Sequence, residues 1–119
     1  MMKVKIKPLL PSLREKKRYL AYEVISRHKF NDAISVSKAI LDASKEFLGN
    51  LSMAKAGMIA MNDQWNADAQ RGIIRVNNKH VGELKASLIF VKGINGMEAI
   101  VKSIGASGIL KKAKQKYLY

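Results

Sequence analysis

Cysteine is missing from this chain, and few residues of the kinds that carry catalysis are present. Without cysteine there is neither a disulfide scaffold nor a thiolate metal site, which fits a reducing compartment. The two histidines, His28 and His80, lack the spacing to another histidine or carboxylate that a metal site needs. The nine acidic residues are dispersed, and no close pair suggests acid–base catalysis. The sequence therefore indicates no catalytic residue and no metal ligand.

Long apolar runs and glycine-rich phosphate loops are also missing. No run approaches the roughly 20 apolar residues that cross a bilayer, and the N-terminal stretch lacks the apolar segment of a signal peptide. Neither a P-loop nor a GxGxxG motif occurs. We expect a cytoplasmic protein that binds no cofactor itself and has no membrane partner.

Basic residues outnumber acidic ones, and the excess lies at both ends. The chain has 22 Lys+Arg against 9 Asp+Glu, a net charge of +13. Residues 1–18 carry a net +6 and residues 99–119 a net +5, which leaves +2 for the residues between them. A small domain with so much positive charge usually has a polyanionic partner. The charge pattern predicts nucleic-acid binding at the two ends.

The length of 119 residues and an apolar fraction of 48% fit one domain with a core. Two prolines and alternating lysines predict that residues 1–15 form a flexible basic arm. We expect residues 16–119 to form the domain, which ends in a basic helix over residues 107–118.

Apolar periodicity predicts the other elements. Runs with alternating or β-branched apolar residues predict four strands, over residues 19–26, 57–62, 71–76 and 99–104. Apolar residues at 3–4 spacing predict a long helix that begins after Asn31-Asp32 and ends at Gly49-Asn50, with a short helical turn after it. A second helix is predicted from Val81 onward, with Asn77 or Asn78 as its N-cap.

This order of elements predicts an α+β fold of the split βαββαβ kind, as in ferredoxin-like and RNA-recognition-motif domains. We expect a four-stranded antiparallel sheet in the spatial order 4-1-3-2, with helices packed on one face. The last strand then lies beside the first. The basic arm and the basic C-terminal helix would therefore meet at one edge of the sheet and form one positive surface.

The third predicted strand opens with Arg71-Gly72, as RNA-recognition motifs do, but it lacks their base-stacking aromatic residues. The open face of the sheet is therefore expected to be a mixed apolar and charged protein interface. Its expected residues are Tyr19, Ile73, Arg75 and Ile100. We place RNA contact on the basic ends, through phosphates. The expected RNA-binding residues are Arg14, Lys16, Lys17, Arg18, Lys111, Lys112, Lys114 and Lys116.

Two features allow more than one interpretation. Trp65, in a predicted loop, either covers the edge of the core or anchors a base or a partner. The lysines of the C-terminal helix either bind phosphates or form a solvated face.

Two stretches resemble the ribonuclease P protein component 2 family, small RNA-recognition-motif-like subunits of archaeal and eukaryotic ribonuclease P. They are LPSLREKKRYLAYEVIS at residues 10–26 and RGIIRVNNKHVGELKASLIFVKGINGMEAIVKSIGASGILKKAKQKYL at residues 71–118. The most specific parts are the basic residues before the first strand and the ending SGxxKKAxxK at residues 107–116. Residues 31–70 match mainly by pattern, so no functional residue is carried over there. The short N-terminus suits an archaeal form.

The resemblance implies a subunit of the enzyme that removes the 5′ leader of precursor tRNA. The ribonuclease P RNA would perform the Mg²⁺-dependent hydrolysis, so Mg²⁺ is expected on the RNA. The implied protein partners are ribonuclease P protein component 3 and other subunits, with a homodimer of heterodimers and indirect contact with precursor tRNA.

Two other functions remain open at this point. A ribosomal-type RNA-binding subunit shares the charge pattern and differs in its partner. A small ligand-binding or enzymatic domain on the same fold predicts a concave pocket with convergent polar groups.

Overall fold

The computed structural model describes residues 16–119, and the predicted arm of residues 1–15 lies outside them. The strands are β1 (Lys17–Ser26), β2 (Ile59–Ala60), β3 (Arg71–Asn77), β4 (Gly93–Ile94) and β5 (Met97–Ser107). The helices are α1 (Ile34–Ala56), α2 (Val81–Leu88) and α3 (Leu110–Ala113), and a π-helical segment (Lys114–Leu118) continues α3. We call residues 110–118 the C-terminal helix. Within residues 16–119, no helix has the length and apolar character that a membrane span requires.

The strands form one antiparallel sheet in the order β2-β3-β1-β5-β4. The predicted α+β class and antiparallel sheet are confirmed, but the sheet has five strands where four were predicted. The extra strand, β4, is two residues long and forms a hairpin with β5. Asn95 and Gly96 make its turn with φ values of 55° and 76°. A two-residue hairpin turn of type I′ needs positive φ at both positions, and Asn-Gly accepts this most readily.

The long helix α1 consists of two segments joined at Gly49. This residue has φ 82° and ψ 168°, a conformation that glycine adopts far more readily than other residues. The helix then resumes and ends at Ala56. The sequence predicted both the break at Gly49 and the short helical stretch that follows it.

One face of the sheet packs on α1 and α2 and forms the main core. Leu20, Tyr22 and Val24 alternate along β1 and are all buried. Facing them are buried residues at helical spacing in both helices, which are Val36, Ile40, Leu84 and Leu88. The predicted periodicities of two in the strand and 3–4 in the helices therefore correspond to the two sides of this core.

The C-terminal helix packs on the opposite face of the sheet, where the sequence predicted an open surface. Ala113 and Leu118 of the helix are buried against Ala21 and Ile73 of the sheet. Because Ile73 is only 1% exposed, its predicted place on an open protein interface is wrong. The apolar side of the C-terminal helix removes this part of the sheet from water, so the domain has three layers.

Polar contacts and a glycine hold the C-terminal helix in place. Asn66 Nδ2 donates a hydrogen bond to the carbonyl of Leu118 at 2.6 Å, and Arg71 Nη1 donates to that of Tyr117 at 3.0 Å. The last carbonyls of a helix lack partners within it, and these donors supply them. Gly105 of β5 lies under the Tyr117 ring, where a Cβ would come within 2.6 Å of Tyr117 Oη.

Candidate nucleic-acid interface

The start of β1 lies beside the end of β5. Tyr19 pairs with Ser107 across the two strands, and a Cβ built on Gly108 would lie 3.6 Å from Nη1 of Arg18. The helix α3 begins two residues after Gly108, and its Lys111 and Lys112 are exposed. The structure thus brings the basic start of β1 close to the basic helix, as the sheet order predicted.

Two asparagines at the end of β3 position the first cationic side chains. Lys17 Nζ donates to Asn77 Oδ1 at 2.5 Å, and Arg18 Nε donates to Asn78 Oδ1 at 3.0 Å. The amide acceptors fix these side chains without neutralising their charge. The prediction that Asn77 or Asn78 caps the second helix is wrong, since neither makes a side-chain capping bond.

Six exposed cations lie on or beside these elements, and we call them the positive surface. They are Lys16, Lys17, Arg18, Lys79, Lys111 and Lys112. None of the six forms an ion pair with a carboxylate of residues 16–119. Sequence reasoning missed Lys79, which follows Asn78. The predicted sheet order was the signal that could have identified it, because it places the end of the third predicted strand beside the start of the first, as the pairing of Lys17 with Asn77 shows.

The other predicted RNA-binding residues lie elsewhere. Lys114 borders a cleft that it shares with Asp63 and Asp68, carboxylates that repel phosphate. Lys116 Nζ lies 5.6 Å from the centroid of the Tyr117 ring. Arg14 lies outside the described residues. The structure therefore joins Lys111 and Lys112 to the start of β1 and sets Lys114 apart from them.

The remaining predicted interface residues differ in exposure. Tyr19 is half-buried against the cluster under the C-terminal helix. Arg75 is half-buried, and its Nε is buried with no hydrogen-bond partner among the described residues. Ile100 is 60% exposed and lies across from Ile25 of β1. The face that remains open is therefore the Ile25–Ile100 end of the sheet.

Trp65 covers the edge of the main core. Its ring is half-buried and tilted against Tyr22, with 6.2 Å between the ring centroids. Its Nε1 donates a hydrogen bond to the carbonyl of Phe30 at 3.1 Å. Because both the ring and its donor have partners within the domain, the structure favours the core-edge interpretation over base stacking.

Two ionisable side chains of β1, Glu23 and Tyr22, have partners within the domain. No group of three His, Asp or Glu within residues 16–119 could hold a metal ion. Glu23 lies between Arg71 at 3.7 Å and Lys102 at 3.9 Å. Burial raises the pKa of Tyr22 to about 12, more than its hydrogen bond with Ser37 lowers it, so Tyr22 stays protonated at neutral pH.

A long groove beside β5 has a volume of about 1290 Å³. Glu98 is the one carboxylate among its lining residues. The groove is concave, as the ligand-binding alternative predicts, and it lacks the paired carboxylates of acid–base catalysis.

Comparisons with known proteins identify the family of this basic domain. The model of the Rpp14/Pop5 family matches residues 18–118. Ribonuclease P protein component 2 of Thermococcus gammatolerans is 43% identical over 117 residues, which cover 98% of this chain and 95% of that protein. The protein of the same name from Pyrococcus furiosus is 42% identical over 112 residues, with 94% and 91% covered.

A solved structure has a similar fold. A chain in the cryo-EM structure of yeast ribonuclease MRP superposes with a TM-score of 0.59 at 14% identity, covering 80% of this chain and 76% of that one. At this identity the likeness concerns the fold alone. The family match over residues 18–118, together with relatives similar along nearly their whole length, shows that this chain belongs to the Rpp14/Pop5 family of ribonuclease P protein subunits.

Proposed function

We propose that this protein binds the catalytic domain of a ribonuclease P RNA through the positive surface and stabilises it, while the RNA performs the hydrolysis that removes the 5′ leader of precursor tRNA. The observation that carries the proposal is the pairing of Tyr19 with Ser107, which joins two basic segments that are distant in sequence. Six cations without carboxylate partners among residues 16–119 suit a row of phosphates.

The cations of the positive surface differ in how much of each side chain is available to a phosphate. Arg18 uses Nε for Asn78, which leaves its outer guanidinium nitrogens for a phosphate. Lys111 and Lys112 are exposed side chains on a helix that is fixed to the sheet by Leu118 and Tyr117. A rigid support for mobile lysine side chains lowers the entropy lost on binding, because the backbone is already ordered.

The order of the strands supports an RNA-recognition-motif-like fold as part of this proposal. With the two-residue strand β4 set aside, the order β2-β3-β1-β5 supports a split βαββαβ arrangement in which β5 is the fourth strand. On this proposal residues 16–119 form one domain.

The proposed assembly is the one that the family resemblance implies. Its partners are ribonuclease P RNA, ribonuclease P protein component 3 and other ribonuclease P protein subunits, with precursor tRNA contacted indirectly. The pair with component 3 dimerises through this chain, Mg²⁺ sits on the RNA, and the complex works in the cytoplasm. The archaeal relatives named ribonuclease P protein component 2 support this proposal.

The test is cleavage of precursor tRNA by ribonuclease P RNA from the same source, at a Mg²⁺ concentration where the RNA alone is slow. We expect faster cleavage when this protein and component 3 are both added. No acceleration, combined with tight salt-sensitive binding to ribosomal RNA, would replace the proposal with a ribosomal-type role. No binding to either RNA would overturn RNA binding altogether.

A further inference from the structure

The outer edge of β5 is unpaired over most of its length within residues 16–119. The short strand β4 pairs with it at Met97 and Glu98, and β5 continues to Ser107 without a neighbour on that side. An exposed strand edge presents a row of backbone donors and acceptors that can bind another strand.

Backbone geometry shows which amides this edge presents. The amide of Ala99 donates to the carbonyl of Lys92 at 3.1 Å, on the outer side of β5. Amides point alternately to the two sides of a strand, so those of Val101 and Ser103 also point outward. These two donors have no backbone partner among the described residues.

The groove of about 1290 Å³ follows this edge and has an apolar wall on each side. Leu88 and Ile89 at the end of α2 form one wall, with Ile89 76% exposed. Ile25 and Ile100, 48% and 60% exposed, form the other. Side chains of a strand beside β5 would alternate between these two walls. The groove exceeds the volume of typical small-molecule sites, which are about 300–1,000 Å³, and its form suits an extended chain.

The charges that line the groove indicate which kind of chain could bind in it. Arg27, Lys85, Lys92 and Lys102 are exposed lining residues, against one carboxylate, Glu98. A second copy of this chain would place like charges opposite each other, which is unfavourable. No Phe, Tyr or Trp lines the groove, so it lacks a base-stacking platform for single-stranded RNA.

We propose that this groove binds an extended segment of a partner protein, acidic and apolar in alternation, which adds to the sheet as a strand beside β5. Backbone hydrogen bonds to Val101 and Ser103 would align the segment, and carboxylates would meet the groove cations. The interaction goes beyond the proposed RNA binding and uses none of the residues of the positive surface.

The test uses fluorescein-labelled ten-residue peptides and the full-length protein. The first peptide alternates glutamate and valine, the second has lysine in place of glutamate, and the third is the first with methylated backbone amides. We expect fluorescence anisotropy to show that the acidic peptide binds roughly tenfold or more tightly than either control. Hydrogen exchange at Val101 and Ser103 should slow when it binds.

Charge variants locate the site. Lys102→Glu should weaken binding of the acidic peptide roughly tenfold, whereas Lys45→Glu, an equal charge change on exposed α1, should leave it within about twofold. Equal losses in both variants, or unchanged exchange at Val101 and Ser103, would overturn the proposal.

Two further outcomes would assign the groove differently. An unlabelled RNA oligonucleotide that displaces the peptide and loses affinity in Lys102→Glu would make the groove an RNA site. A dimer in sedimentation that Ile100→Asp dissociates would make the occupant a second copy. Failure of peptide binding with intact RNA binding overturns this inference and leaves the proposed function standing.

Discussion

Tyr22 occupies the space that a glycine across the sheet leaves open. It pairs with Gly72 between β1 and β3, and a Cβ on Gly72 would lie 2.6 Å from Tyr22 Cζ. The sequence pattern linked Arg71-Gly72 to the opening of an RNA-binding strand. The structure gives both residues a structural role as well, because Gly72 admits the Tyr22 ring and Arg71 binds the end of the C-terminal helix.

Gly72→Ala should therefore destabilise the domain. Forcing a methyl group against a buried aromatic ring costs about 1–3 kcal/mol of unfolding free energy, measured by urea denaturation. Gly82→Ala is the matched control, because a Cβ there meets nothing within 4 Å on helix α2. The control should gain roughly 0.5–1 kcal/mol from helix propensity. Equal stability of Gly72→Ala and wild type would contradict the packing argument.

Because the hydroxyl of Tyr22 is buried, the free energy of unfolding should depend on pH in the alkaline range. Its pKa is raised by burial to about 12 from an ordinary value of 10. The folded state thus binds the Tyr22 proton more tightly than the unfolded state does. The contribution of this difference to the free energy of unfolding is complete below pH 10 and is lost as the pH rises from 10 to 12. Relative to Tyr22→Phe, the wild type should lose on the order of 1 kcal/mol per pH unit in that window. Parallel unfolding curves for the two proteins against pH would refute this.

At the scale of elements, the C-terminal helix depends on a close approach to β5. Gly105 lies under the ring of Tyr117, and the far end of the helix is held by Asn66 and Arg71. These contacts cover Ile73, so the helix stabilises the second apolar cluster at the same time as it presents Lys111 and Lys112.

Gly105→Ala should loosen this helix, because a Cβ there overlaps the Tyr117 ring. We expect faster amide exchange across residues 110–118 and a loss of about 1–3 kcal/mol in stability. Gly108→Ala is the control, since its nearest contact, Nη1 of Arg18 at 3.6 Å, is an ordinary one. If both variants show the same exchange rates, the Tyr117 contact does not hold the helix.

At the scale of the whole molecule, the order of the strands brings basic residues that are distant in sequence onto one surface. Strand β1 lies between β3 and β5, so the start of β1 meets the end of both neighbours. Three segments that are far apart in sequence therefore supply the six cations of the positive surface. Self-repulsion among these charges is unfavourable in the free protein and is relieved when a polyanion binds.

The double variant Lys111→Ala/Lys112→Ala should weaken binding to ribonuclease P RNA and flatten its salt dependence. Each lost phosphate contact lowers the log–log slope by roughly 0.7–0.9, so the pair should lower it by about 1.4–1.8. Filter binding across a salt series measures this slope. Lys38→Ala/Lys45→Ala removes the same charge from exposed positions of α1 and should change the slope far less. Equal changes in both double variants would mean that RNA binding depends on the net charge of the protein and not on the positive surface.

The sequence by itself determined most of the elements and the charge distribution. Alternation at Leu20 and Val24 and helical spacing at Val36 and Ile40 are local patterns, and each corresponds to local backbone geometry in the structure. The strand β4 was missed because two residues carry no periodicity. Its register depends on the β5 partner that the turn supplies.

Only the tertiary structure decided which face of the sheet is covered. A strand presents two faces, and nothing local to Ile73 indicates that a helix 40 residues further along the chain packs against it. The same packing sets Lys111 and Lys112 on the positive surface and Lys114 beside Asp63. Burial arises from contacts between distant segments, whereas periodicity reports only the backbone within one segment. The sequence therefore showed which segments are basic, and the tertiary structure decided which of their lysines lie on one surface.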